Sequence, residues 1–148
     1  AFWNVWMQCL ECQVQEGDFG DFFPLAGTSA RVPVDPKGNV YAPAGKPAWF
    51  GKHSQARSFG GRRRSDEEKP QGEWTRVDVY VLGDAAVHVV EGVVVYALED
   101  AHASLGGERV PLTRGKIQLQ SEGAEVSYRD VKLRPITAFP DGIWPEAD

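Results

Sequence analysis

The chain has 148 residues, a length that predicts one domain with a substantial core. Hydrophobic residues make up 42% of it and charged residues 25%, which is a normal globular balance. The net charge of −5 argues against a nucleic-acid partner, and no apolar run reaches the roughly 20 residues of a membrane-spanning helix.

The first predicted element is a strand with one polar face, within residues 5–15. Glu11, Gln13 and Gln15 share one parity, and the apolar residues between them share the other. A turn is predicted at 16–18, where the sequence is Glu-Gly-Asp.

The two cysteines of the chain, Cys9 and Cys12, lie on this strand. Their opposite parity points them to opposite faces, which disfavours a disulfide between them. Two cysteines alone cannot form a structural zinc site. We expect them to be small core residues, and pairing with an additional N-terminal segment is the alternative.

Residues 26–72 are rich in Gly, Pro, Ser and charge. Ordinary loops have a median length of about 4–6 residues, so this region is expected to contain short strands or to shape a site. Its basic run, Arg62 to Arg64, is followed at once by acidic residues, and we interpret it as a solvated loop.

Strand signals become clearer towards the C-terminus. β-Branched runs alternate with turn dipeptides, which is typical of hairpins, and no 3.6-residue apolar stripe of useful length is present. Many short strands of this kind predict an all-β sandwich, followed by an irregular tail at 137–148. The predicted strands are 74–81, 86–90, 93–98, 115–121 and 126–133.

Two of the predicted strands carry a carboxylate and carboxamides on one face. Glu11 and Gln13 share a face of the first strand, and Gln120 and Glu122 share a face near the C-terminus. Unpaired polar groups in a core cost roughly 1–3 kcal/mol each, so these faces are predicted to line a cleft or the outer surface. Carboxamides and carboxylates suit sugar hydroxyls, which both donate and accept hydrogen bonds.

The first strand does not supply the paired carboxylates of a retaining glycosidase, which lie about 5–5.5 Å apart. Glu11 is followed at the matching offsets by Gln13 and Gln15. Such a site either binds sugar without cleaving it or cleaves it by another route. His88, in the middle of a strand, is either a packed side chain or a proton acceptor.

Asp18 and Asp21 flank Gly20 in the turn after the first strand. With help from carbonyl groups they could hold a divalent cation such as calcium, and a structural turn is the alternative. No other cofactor is predicted.

Four stretches together resemble the bacterial 3-keto-disaccharide hydrolase domain family. The resemblance extends from about residue 5 to 136 and implies a single concanavalin-like jelly-roll domain over 1–136, with further family strands expected before Ala1. It also implies a secreted or periplasmic location and a substrate that is an oxidised sugar. The stretches are ECQVQEGDFGDF at 11–22, EKPQGEW at 68–74, VHVVEGVV at 87–94, and GKIQLQSEGAEV with YRDV between 115 and 131.

The chemistry implied by this resemblance is β-elimination next to a ketone, followed by addition of water. It needs a base, an acid at the leaving oxygen and donors for the enolate. We predict Glu11 or His88 as the base and Glu122 as the proton donor, while a cation at Asp18 or Asp21 would polarise the enolate oxygen. The residues predicted to bind hydroxyl groups or the enolate oxygen are Gln13, Gln120 and Arg129.

Two other functions stay open at the level of the sequence. The same fold can serve as a carbohydrate-binding module without catalysis, or as an extracytoplasmic assembly domain that buries the polar face against another chain. The sequence does not predict the particular sugar or the oligomeric state.

Overall fold

The computed structural model describes residues 6–53, 56–58, 60–121 and 123–145. These ranges contain nine strands and no helix, so the all-β prediction is confirmed. No described segment could cross a membrane as a helix. The strands are β1 (Cys9–Cys12), β2 (Phe22–Leu25), β3 (Thr28–Val34), β4 (Lys46–Gly51), β5 (Ala56–Ser58), β6 (Val77–Leu82), β7 (Ala85–Val90), β8 (Val93–Leu105) and β9 (Glu108–Pro111).

Seven of the strands form one sheet and the other two form a short ribbon. The sheet has the order β5-β4-β3-β8-β7-β6, with β9 pairing to β8 outside this path, and β1 pairs with β2. All pairs are antiparallel except β4–β5. This arrangement agrees with a concanavalin-like sandwich.

The core surrounds Tyr96 of β8, where successive residues of β7 and β8 are buried, so both faces of the large sheet are covered there. The ring centroid of Tyr96 is 5.5 Å from that of Phe22 on β2 and 5.3 Å from that of Tyr41. Phe50 and Val32 are also fully buried in this cluster. Each such side chain stabilises the fold by about 1.5–3 kcal/mol when it leaves water, so this cluster fixes β2 and the loop of Tyr41 against the sheet.

The hairpins β6–β7 and β7–β8 confirm the strand predictions of this region, with shifted ends. At the second turn, Glu91 and Gly92 have φ values of 49° and 83°. Two central residues with positive φ are the requirement of a type I′ turn, which matches the twist of the two strands.

The expected short strands within 26–72 are confirmed as β3, β4 and β5. The interpretation of the arginine run as a solvated loop is wrong for Arg63, whose side chain is only 7% exposed. Arg62 and Arg64 are exposed, as expected. Arg63 differs because a buried carboxylate, described below, is its partner.

The predicted strands 115–121 and 126–133 are wrong, because no described residue after Pro111 belongs to a strand. The apolar members of their alternating pattern are exposed, with Ile117 at 75% and Leu133 at 80%. A strand exists only where a neighbouring strand completes its ladder of hydrogen bonds, and no described strand pairs with these residues.

Candidate functional site

The carboxylate of Glu11 accepts hydrogen bonds from two carboxamide groups, which belong to parts of the chain that are far apart in sequence. Nε2 of Gln13 donates to Oε1 of Glu11 at 3.2 Å. Nε2 of Gln120, which is 109 residues away in sequence, donates to Oε2 at 3.4 Å. The structure therefore brings three of the predicted site residues together.

The orientation of Gln13 follows from the backbone around it. Its Oε1 accepts hydrogen bonds from the amides of Val14 (2.8 Å) and Gln15 (3.1 Å). The carbonyl end of the side chain is thus held by the main chain, and its NH₂ group is directed at Glu11. Glu11 itself is placed by β1, where it is paired with Phe23 of β2.

His88 lies in the core and not at the surface of a cleft. It is 3% exposed, and its Nδ1 is 2.9 Å from the carbonyl oxygen of Gly20. The ring lies against Tyr96, with centroids 5.6 Å apart. Desolvation lowers the pKa of His88 to about 4, against a partly opposing hydrogen bond to Gly20. This placement favours the packed side chain, which is one of the two interpretations of the sequence.

The lowered pKa of His88 makes stability depend on pH. The unfolded chain binds the proton near the ordinary pKa of 6.5 and the folded chain only near 4, so stability falls as the pH drops through this window. The expected loss is about 3 kcal/mol between about pH 7 and pH 4. Urea unfolding across this range should show a steeper decline for the wild type than for His88→Gln, which cannot take up a proton. Parallel declines would contradict the prediction, and His53→Gln provides a control for a less buried histidine.

Asp18 and Asp21 lie beside Arg63, which supplies a positive charge where a cation was predicted, and this arrangement favours the structural turn, the other interpretation of the sequence. The backbone amide of Arg63 donates to Oδ1 of Asp21 at 2.9 Å and its Nη1 donates to the same atom at 3.2 Å. Nη1 also lies 3.9 Å from Oδ1 of Asp18. Burial raises the pKa of Asp21, and the hydrogen bonds from Arg63 oppose this effect. Among the described residues, no group of three His, Cys, Asp or Glu could hold a metal ion.

Of the other two predicted site residues, only Arg129 belongs to the described part of the chain. Glu122 lies outside the described residues, so its predicted role as proton donor stays a prediction. Arg129 packs over Trp74, with its guanidinium carbon 4.2 Å from the ring centroid. Next to it, the hydroxyl of Tyr128 donates to the carbonyl oxygen of Gln120 at 2.5 Å, which ties this segment to the residue that contacts Glu11.

Cys9 and Cys12 are both free and partly buried beside Glu11. Burial raises the pKa of Cys12 to about 12, and the charges of Glu11 and Asp21 add to the increase. A thiol with such a pKa stays protonated at neutral pH and is a poor nucleophile. Cys12 therefore acts as a packing residue beneath the site.

A second polar cluster, whose residues have no role predicted from the sequence, is formed by β3, β4, β8 and β9. The ring of Trp49 stacks on His53 (centroids 4.1 Å apart), and the guanidinium of Arg109 lies 4.5 Å from the same ring. Nε2 of His102 is 2.9 Å from Oγ of Ser29, and its Nδ1 is 2.7 Å from a backbone carbonyl oxygen. Both nitrogens of His102 are engaged, which indicates a structural role.

The described part of the chain is an all-β domain, and its candidate site is a carboxylate of the N-terminal ribbon contacted by two carboxamides. The chain belongs to the family described as the 3-keto-alpha-glucoside-1,2-lyase-like domain, whose model matches residues 1–134. This confirms the resemblance to the 3-keto-disaccharide hydrolase family. No curated protein and no solved structure matches the chain.

Proposed function

We propose that this chain cleaves glycosides of 3-keto sugars by elimination followed by addition of water. The observation that carries the proposal is the Glu11 carboxylate, whose two oxygens are each contacted by a carboxamide. Membership of a family described as 3-keto-alpha-glucoside-1,2-lyase-like supports the choice of substrate class.

The ketone at C3 of the sugar makes the hydrogen at C2 acidic. Glu11 removes this proton, and the electron pair of the C2–H bond forms an enolate. The enolate re-forms the ketone and a C1=C2 double bond while the C1–O bond breaks, and the leaving oxygen takes a proton from an acid, for which Glu122 is the candidate. Water then adds its hydroxyl at C1 and a proton at C2. The net reaction is hydrolysis, and it needs no second carboxylate as nucleophile.

The carboxamides would serve this reaction in two ways. Their NH₂ groups hold the Glu11 carboxylate in one orientation, which raises the fraction of time it spends in a reactive geometry. The second N–H of the Gln13 NH₂ group and the carboxamide of Gln120 also suit sugar hydroxyls. Arg129, whose guanidinium lies over Trp74, stays a candidate donor to a sugar hydroxyl.

The proposal is tested by incubating the protein with 3-keto-trehalose or trehalose in D₂O and following the products by mass spectrometry. We expect cleavage of the keto sugar alone, with one deuterium on carbon in the 3-keto-glucose formed. Free 3-keto-glucose incubated in the same buffer corrects for spontaneous exchange. Cleavage without deuterium at carbon, or equal cleavage of trehalose, would contradict elimination.

The alternative is carbohydrate binding without catalysis, which is favoured by Trp74, whose side chain stays 47% exposed although Arg129 lies over its ring. Exposed tryptophan faces provide platforms for the apolar face of a sugar ring. Calorimetric titration with the same two sugars separates the functions, because a binding module would show heat of binding and no product.

A further inference from the structure

Arg63 joins the turn of Gly17 and Asp21 to the segment that carries Asp66, around one buried guanidinium. Its Nη1 donates to Oδ1 of Asp21 at 3.2 Å and its Nη2 donates to the carbonyl oxygen of Gly17 at 2.6 Å. Nη2 also lies 3.2 Å from Oδ2 of Asp66. The amide of the same Gly17 donates to Oε2 of Glu68 at 2.8 Å, so the turn is held from both sides.

The segment that Arg63 holds is the direct continuation of the site strand. The amide of Gln13 donates to the carbonyl oxygen of Asp21 at 3.0 Å, and the amide of Gly20 donates to the carbonyl oxygen of Gln13 at 2.8 Å. These two bonds close residues 13–21 into a loop whose base is Gln13. A displacement of Asp21 or Gly17 would therefore be transmitted to Gln13, which contacts Glu11.

The charges at this point also require Arg63. Asp18, Asp21 and Asp66 all lie within 3.9 Å of its guanidinium, and Asp21 is almost fully buried. Without a positive charge these carboxylates would repel one another, and Asp21 would be a buried charge without a partner. A flat guanidinium can reach several acceptors at once, which the single nitrogen of a lysine cannot do.

We propose that Arg63 is a positioning residue, which locks the 13–21 loop so that the carboxamide of Gln13 stays against Glu11. The effect of Arg63 on catalysis rests on the proposed function, since it takes Glu11 to be the base. The effect of Arg63 on the position of Gln13 does not, because the hydrogen bond from Gln13 to Glu11 can be observed without turnover.

The experiment compares Arg63→Lys and Arg63→Met with Arg62→Met, a matched control in which the neighbouring exposed arginine is changed. The side-chain NH₂ resonances of Gln13 are followed by NMR, and kcat and KM are measured on 3-keto-trehalose. Arg63→Lys retains a positive charge and provides a folded variant if Arg63→Met fails to fold.

We expect Arg63→Lys to shift the Gln13 NH₂ resonances and to speed their exchange with solvent, while Arg62→Met leaves them unchanged. We also expect kcat to fall about 10- to 100-fold with KM nearly constant, because misplacing a catalytic group by about 1 Å has effects of this size. Gln13 resonances and kcat at wild-type values in Arg63→Lys would overturn the proposal. If the resonances move but the wild type shows no turnover, positioning stands and the proposed function fails.

Discussion

Glu11→Gln is expected to lower kcat/KM on 3-keto-trehalose by about 100-fold or more, the usual contribution of a general base. Glutamine has nearly the same shape, so the contacts with Gln13 and Gln120 can be kept in altered form. What is lost is the ability to accept the proton from C2. Measured rates should therefore fall in kcat, with a smaller change in KM.

The matched control for this prediction is Glu16→Gln, the same chemical change at an exposed position five residues along the chain. It should leave both kinetic constants within about twofold of the wild type, because surface substitutions of this kind have small effects. If Glu11→Gln turned over the substrate as fast as Glu16→Gln, Glu11 would not be the base. Circular dichroism of both variants checks that the fold is unchanged.

The convergence of Glu11, Gln13 and Gln120 agrees with the prediction from two matching polar faces, but strand alternation is not its cause. Only Glu11 lies on a strand, since Gln13 follows β1 and Gln120 belongs to a segment without strands. The catalytic roles of these residues do not follow from parity. They depend on where a substrate lies against the carboxylate.

Arg63 could not be identified from the sequence, because its environment depends on residues 42 positions away. Runs of charged residues are solvated by default, and only Asp21 inside the fold distinguishes Arg63 from its neighbours. Burial alternates from Gly61 to Arg64, with Gly61 and Arg63 buried and the residues after each exposed.

The prolines of β3 and β4 weaken the sequence signal for these two strands. Pro33 of β3 is paired directly with Pro47 of β4. Proline cannot donate a ladder hydrogen bond and is normally evidence against a central strand. When two prolines face each other, the missing donors fall at one position of the ladder. This compensation is visible only when both strands are known.

In the segment 115–133 the sequence predicts strands that the described residues do not form. The alternation of apolar and polar residues is present, but no described strand pairs with this segment. A pattern of alternating residues indicates which face of a strand would be buried, but it does not indicate that a partner strand is present. The exposed Ile117 and Leu133 are the apolar face of that pattern. The contact of Gln120 with Glu11 holds this segment at the site in the absence of a ladder.

Gly61→Ala is expected to destabilise the fold by about 3 kcal/mol or more, at the upper end of the usual cost of overpacking a core. A Cβ atom at this position would lie 1.9 Å from the hydroxyl oxygen of Tyr96 and 3.0 Å from its Cζ. The Tyr96 ring cannot retreat, since Phe22, Tyr41 and His88 surround it at centroid distances of 5.3 to 5.6 Å. Urea unfolding at neutral pH measures the loss.

Tyr96→Phe should rescue much of this loss, which separates a steric cause from a change in the backbone. The Tyr96 hydroxyl is buried and has no hydrogen-bond partner among the described residues, so its removal alone should cost little or even stabilise the protein. In the double variant the closest clash disappears, and the two changes should be non-additive by about 1–2 kcal/mol in the stabilising direction. Additive effects would mean that Gly61 is required for another reason.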